Sequence, residues 1–221
     1  MMRLSRLAMI ALVMLSCARA VSAQTPAAAT TEDPPFYGEF GGGPTFGHHS
    51  SGYYGGEVGY RVWNNLSVAV EVGHMGNIGS QDLDDRAAII ASSVGATFAA
   101  AYQVTYYDFG VRYAFNMPDH WIKPYASVGF GAAHVTAVTG FSVNGTPVTP
   151  ESIGITTGND LNGTETKGFI MIGGGATAKF KERYFGDLSF RYGRILPDTA
   201  AIDGDTGVNT LRLEFQVGVR F

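Results

Sequence analysis

The sequence is short of the residues on which most other protein classes depend. It has a single cysteine, Cys17, in 221 residues, so no disulfide framework can be built. Nine prolines, and thirty glycines without a triplet period, exclude a collagen-like chain, and the length leaves no room for a large multidomain enzyme. No apolar run of about 18 residues follows the N-terminal segment, which excludes a polytopic bundle of membrane helices; the mean hydropathy is only +0.05. What is plentiful is glycine, with eleven tyrosines and fourteen phenylalanines, a composition suited to many short strands.

Arg3 and Arg6 precede an apolar run from Leu7 to Leu15, and the small residues Val21, Ser22 and Ala23 follow. This is the pattern of a secretory signal peptide over residues 1–23, cleaved after Ala23. Met14-Leu15-Ser16-Cys17 loosely matches a lipoprotein box, so lipidation at Cys17 stands as a second processing route. Cleavage at Ala23 removes the cysteine, and thiol chemistry with it. It also takes 15 basic residues to 12 by removing Arg3, Arg6 and Arg19, against 19 acidic ones, and the resulting charge of −7 disfavours nucleic acid as a partner. Residues 24–35, rich in Ala, Thr and Pro without periodicity, read as a flexible leader.

From Phe36 onward the chain alternates. Leu211, Leu213, Phe215, Val217, Val219 and Phe221 share one parity, and Thr210, Arg212, Glu214, Gln216, Gly218 and Arg220 share the other. Leu66 to Gly73, Asp108 to Phe115 and Asp187 to Tyr192 repeat the pattern, with weaker versions over 36–46, 52–62, 123–135 and 168–180. The spacing predicts an all-β fold over 36–221, an eight-stranded antiparallel up-and-down transmembrane β-barrel. Links after strands two, four and six are tight, whereas 74–103, 136–167 and 197–208 are long, which places turns at one end and loops at the other. The apolar parity is read as facing lipid, because the polar parity mixes glycine with charges of both signs, as a narrow lumen requires. Aromatics near strand ends are expected to form two girdles: Trp63, Phe115, Trp121, Tyr125, Phe180, Tyr184 and Phe185 at the turns, Phe46, Tyr53, Tyr54, Tyr106 and Tyr107 at the loops.

The last strand, ending Val217-Gly218-Val219-Arg220-Phe221, and the segment Lys123-Pro124-Tyr125-Ala126-Ser127-Val128-Gly129-Phe130-Gly131 resemble the small OmpA-like outer-membrane β-barrel family. The resemblance covers Phe36 to Phe221. It implies a Gram-negative outer membrane, passage through the periplasm with its chaperones, and recognition by the barrel-assembly machinery through Phe215, Val217, Val219 and Phe221. No peptidoglycan-binding domain is expected after strand eight. Outer-membrane lipid and lipopolysaccharide are the implied surroundings, and a monomer is the expected state.

The inward parity carries Glu39, Glu57, Glu71, Asp108, Asp187 and Glu214 against Arg61, Arg112, Lys123, Lys179, Arg191, Arg212 and Arg220. Charges taken out of water must be paired, so this near-neutral set predicts an internal ion-pair network that blocks the lumen. The outer loops carry Asp82, Asp84, Asp85, Glu151, Asp160, Glu165, Asp198, Asp203 and Asp205 with Arg86, an acidic crown able to bridge divalent cations to lipopolysaccharide; Asp203-Gly204-Asp205 lacks the spaced ligands of a calcium loop. Ala87 to Ala101, apolar within a loop, is expected to extend strands three and four, to fold over the mouth, or to line a groove for a hydrophobic ligand.

Catalytic chemistry finds little support. His48, His49, Ser50 and Ser51 adjoin one another, but adjacency does not orient a base on a nucleophile. His74 and His134 have outward parity on strands expected not to be neighbours. Gly41-Gly42-Gly43 and Gly173-Gly174-Gly175 lie within strands, away from any phosphate-binding strand-to-helix turn. The expectation is therefore a non-enzymatic structural or surface-interaction protein without cofactor, metal or catalytic residue. A passive carrier or narrow porin for small hydrophobic molecules, and then a lipid-modifying hydrolase, are the alternatives.

Overall fold

The computed structural model describes residues 34–115, 121–153, 161–197 and 207–221, with Glu151 and Ile153 described by backbone alone. The expected signal peptide, the lipidation alternative at Cys17 and the leader up to residue 33 lie outside the described residues. The elements are β1 Phe36–Phe46, β2 Ser50–Trp63, β3 Leu66–Met75, α1 Gln81–Val94, β4 Thr97–Ala114, β5 Ile122–Val143, β6 Thr146–Val148, β7 Gly163–Lys179, β8 Tyr184–Ile195 and β9 Val208–Arg220. Among the described residues no helix is long and apolar enough to cross a membrane.

All strand pairs are antiparallel, and the ring runs β1-β2-β3-β4-β5-β7-β8-β9. It closes where β9 pairs with β1, from Tyr37↔Arg220 to Phe46↔Leu211. The Phe221 amide donates to the Phe36 carbonyl at 3.0 Å, and the two rings stack with centroids 6.1 Å apart. Closure leaves no unpaired edge in the ring. The glycine triplet of β1 serves this seam, since a Cβ on Gly41 or Gly43 would collide with the carbonyls of Phe215 or Leu213 on β9.

The alternation reads through directly. On β9 Thr210, Arg212, Glu214, Gln216 and Gly218 are buried, while Phe215 and Val217 are exposed. The same division holds for Asp187, Ser189 and Arg191 against Leu188, Phe190 and Tyr192 on β8. The strands are longer than the alternation alone suggests. β4 begins at Thr97 and β5 runs to Val143, so the barrel wall takes up parts of two expected loops and rises well past its apolar belt. β6 lies outside the ring and pairs only with the end of β5. It turns on Asn144-Gly145, with φ of 51° and 80°. Asn-Gly with two positive φ angles is a tight-hairpin signal, and here it adds a strand outside the eight of the ring.

The segment expected to extend the strands or fold over the mouth does both. Thr97 to Ala101 belongs to β4, and residues 81–94 form α1, with Leu83, Ala87 and Ala91 buried on one face. That spacing, every fourth residue, is one stripe of a helix. Gly95, with φ of 65°, ends the helix as only glycine does without strain, and its amide donates to the Ala91 carbonyl.

Four members of the expected girdles are not in them. Trp63, Phe115, Trp121, Phe180, Tyr184, Phe46, Tyr54 and Tyr107 are exposed on the outer face, whereas Tyr53, Tyr106, Tyr125 and Phe185 are buried in the lumen. Tyr53-Tyr54, Tyr106-Tyr107 and Tyr184-Phe185 are adjacent pairs, and adjacent strand residues face opposite ways, so one ring of each pair must point inward.

Candidate functional site

The lumen is built from two opposed walls. Strand register sets Glu39 beside Glu57, Glu57 beside Glu71, and Glu71 beside Asp108 across β1 to β4. On the facing wall Arg191 of β8 sits beside Arg212 of β9. Like charges paired side by side repel. Arg112 on the first wall and Glu214 on the second offset part of this, and closure of the ring brings Glu57 and Glu71 to Arg191.

Across the gap the contacts form a continuous ladder. Arg112 Nη2 lies 2.6 Å from Glu39 Oε1 and 2.9 Å from Glu57 Oε1, and its Nη1 is 3.7 Å from Asp187 Oδ2. Arg191 takes up the other oxygen of Glu57 at 3.1 Å and pairs through Nη1 with Glu71. Arg212 Nη1 lies 3.3 Å from the second oxygen of Glu71. Glu214 stands between Arg191 and Arg212, with 3.1 and 3.2 Å to their Nε atoms; these approaches are too far off axis to be hydrogen bonds. Glu71 and Arg191 are each only 1% exposed, so the pairs have little water to screen them.

The expected near balance of charge does not hold inside. Arg61 and Arg220 are half-buried and Lys123 and Lys179 exposed, all at the turn end, so the buried set is six carboxylates with three guanidiniums. Parity cannot say where along a strand the water begins, so by parity alone seven bases look inward. Arg61 is spent on the chain entering β1, donating to the Pro34 carbonyl at 3.1 Å.

Tyrosines make up the missing donors. Tyr37 donates to Glu57 at 2.6 Å, Tyr53 to Glu71 at 2.9 Å, Tyr125 to Asp187 at 2.8 Å, and Tyr106 also to Glu71. The same rings hold the cations: Arg112 lies 4.1 Å from the centroid of Tyr125 and 5.3 Å from that of Tyr37, and Arg212 lies 4.6 and 4.9 Å from Tyr106 and Tyr53. Inward glycines make the space, since a Cβ on Gly73 would sit 2.5 Å from the Tyr106 hydroxyl and one on Gly59 would overlap the Tyr37 ring.

Above the ladder, toward the loops, the lumen turns apolar. Met75, Ile78, Tyr102, Val104, Val135, Phe169, Met171, Ile195 and Val208 form a buried cluster, and Leu83 and Ala87 of α1 close it from above. The outer face changes in the opposite sense at the same height. Tyr54, His74, Thr105, His134 and Thr166 lie side by side across β2, β3, β4, β5 and β7, and His74 and His134 bond to Thr105 at 2.9 Å and Thr166 at 3.2 Å. Below this polar row Tyr107, Phe109, Val111, Tyr113 and Phe115 face outward, close to the roughly 9–11 residues of a tilted membrane strand. A sheet that is apolar outside below the row and apolar inside above it passes there from lipid into water.

The outer membrane protein beta-barrel domain family matches residues 10–221. The chain belongs to that family. This outer-membrane barrel accordingly resides in the bacterial outer membrane, and its exposed belt faces lipid. Its fold is similar to that of neisserial surface protein A, with 14% identity, a TM-score of 0.55, and coverage of 84% of this chain and 97% of that one. OprG from Pseudomonas aeruginosa, 10% identical, gives a TM-score of 0.52 over 86% of this chain and 98% of its own. The N-terminal β-barrel domain of Pseudomonas aeruginosa OprF, 16% identical, gives 0.50 over 86% and 100%. No curated protein matches the barrel's sequence. At these identities the likeness is one of fold.

In the loops, Asp160, Asp198, Asp203 and Asp205 lie outside the described residues, as does the side chain of Glu151. Glu165 pairs with Lys167 at 3.4 Å. Asp84, in the first turn of α1, meets both His48 and His49 of the β1–β2 loop. The sequence placed the two histidines beside Ser50 and Ser51 and expected no metal. The structure adds a carboxylate from α1 instead.

Proposed function

We propose that this outer-membrane barrel is a closed structural element that carries a folded loop surface, and that it neither conducts nor catalyses. The observation supporting this is the doubly filled lumen: an ion-pair ladder at membrane level, with an apolar plug and α1 above it. Solute passage would have to break both layers. An opening at the turn end, lined by Tyr37, Arg61, Lys123 and Arg220, holds about 90 Å³, well below the ~300–1,000 Å³ of a ligand pocket. Two larger grooves, of about 540 and 500 Å³, lie on the lipid-facing side against Phe40 and Val217, where acyl chains pack, so they lend the carrier reading no support.

The surface role rests on the loops, with Asp82 and Asp85 of α1 on the loop side of the barrel, where divalent cations bridge carboxylates to lipopolysaccharide. Assembly by the barrel machinery rests on Phe215, Val217 and Phe221, exposed along the last strand beside the seam. The test is planar-bilayer recording with the refolded chain. No steady conductance is expected, and a large steady current would overturn the closed-lumen reading.

A further inference from the structure

We propose that His48, His49 and Asp84 form a binding site for a borderline divalent metal ion of the zinc type, which clasps the β1–β2 loop to α1 on the outer side of the barrel. His48 Nε2 lies 3.1 Å and His49 Nε2 3.2 Å from the same oxygen, Asp84 Oδ2, and the ligand atoms of all three residues lie within 4.8 Å of one another. A tetrahedral ion with bonds of about 2.0–2.2 Å holds its ligands roughly 3.3–3.6 Å apart. Both histidine–aspartate distances are therefore within a few tenths of an ångström of that spacing before any ion arrives, and the two imidazoles need close only the remainder from at most 4.8 Å. Two imidazoles and one carboxylate suit zinc, copper or nickel, whereas calcium and magnesium require oxygen ligands throughout.

The arrangement depends on local backbone. Consecutive residues in a strand face opposite ways. Residues 47–49 form a bend instead, and the two rings lie side by side with centroids 5.1 Å apart. The His49 amide donates to the Ile78 carbonyl at 2.7 Å, which ties the loop to the chain entering α1. Gly79, with φ of 68°, lies against the imidazole, and a Cβ there would be 2.8 Å from His49 Cγ, so the close approach needs glycine twice over. Asp84 is fixed on α1, whose Leu83 is anchored in the plug. The histidine side chains are 43% and 42% exposed and that of Asp84 19%, which leaves a path for an ion and a coordination position for water.

The surface alternative is a plain histidine–carboxylate hydrogen-bonded cluster, and titration separates the two. Tag-free refolded chain in detergent is titrated calorimetrically with zinc chloride and, separately, calcium chloride. One zinc ion per chain and no comparable calcium site are expected. His48→Ala/His49→Ala and Asp84→Ala should each weaken zinc binding by more than about tenfold, and Asp82→Ala and Asp85→Ala should leave it unchanged. Zinc should also slow proteolysis within residues 47–52 and 79–96 of the unsubstituted chain only. Unchanged heat-modifiable gel migration shows that each variant still forms the barrel. Absence of a stoichiometric zinc site, or zinc binding undiminished in the double histidine variant, would overturn the proposal; equal loss in Asp82→Ala and Asp85→Ala would overturn it in favour of diffuse acidic binding.

Discussion

Arg191 is the residue on which the lumen converges. It touches Glu57, Glu71 and Glu214 and is almost wholly buried, so removing it strands three carboxylates among few remaining cations. Replacement of one partner in a buried ion pair costs about 3–5 kcal/mol, because the charge left behind keeps its desolvation without its compensation. Arg191→Met should lower the urea stability of the refolded barrel by that order, with the outer belt untouched. All nine buried charges were legible in the sequence by parity alone, since Glu39 and Arg212 belong to the same inward sets as their neighbours. The tyrosine donors follow the same rule, Tyr53 sharing its parity with Glu57 and Tyr106 with Asp108, but their place near strand ends points to a girdle as strongly as their parity points to the lumen.

At the scale of the element, each strand carries its own record of the membrane. Val128 on β5 faces outward in the middle of the apolar belt, while His134 on the same face of the same strand lies in the polar row. An arginine facing lipid costs about 2–4 kcal/mol at the midplane and about 0–1 near the interface. Val128→Arg should therefore destabilise the barrel in bilayers by the larger amount and His134→Arg by the smaller; equal costs in denaturant titrations would mean that the belt ends elsewhere. The helix α1 shows the limit of pattern reading. Ala87 to Ala101 is apolar in sequence without saying whether it is strand or helix, and the decision comes from burial of Leu83 and Ala87 in a plug assembled by seven strands.

For the whole molecule, closure and charge are one problem. Glu39, Glu57, Glu71 and Asp108 adjoin across β1 to β4 and Arg191 and Arg212 adjoin on β8 and β9; Arg112 and Glu214 offset part of each row, but Glu57 and Glu71 meet Arg191 only when the ring shuts. A charge swap tests this coupling across the lumen. Glu71→Arg and Arg191→Glu should each abolish the heat-modifiable folded band, and the double variant should recover part of it; failure of any recovery would show that position along the wall, not sign, is what matters. The sequence by itself determined the strands, their faces, the alternation of turns and loops, and which charges look inward, because a period of two is local and each residue reports its own side. Tertiary structure alone decided which acid meets which arginine, where the strands leave the membrane, and that His48 and His49 meet Asp84. Those pairings join residues distant in the chain, and no local period encodes the distance across a closed ring.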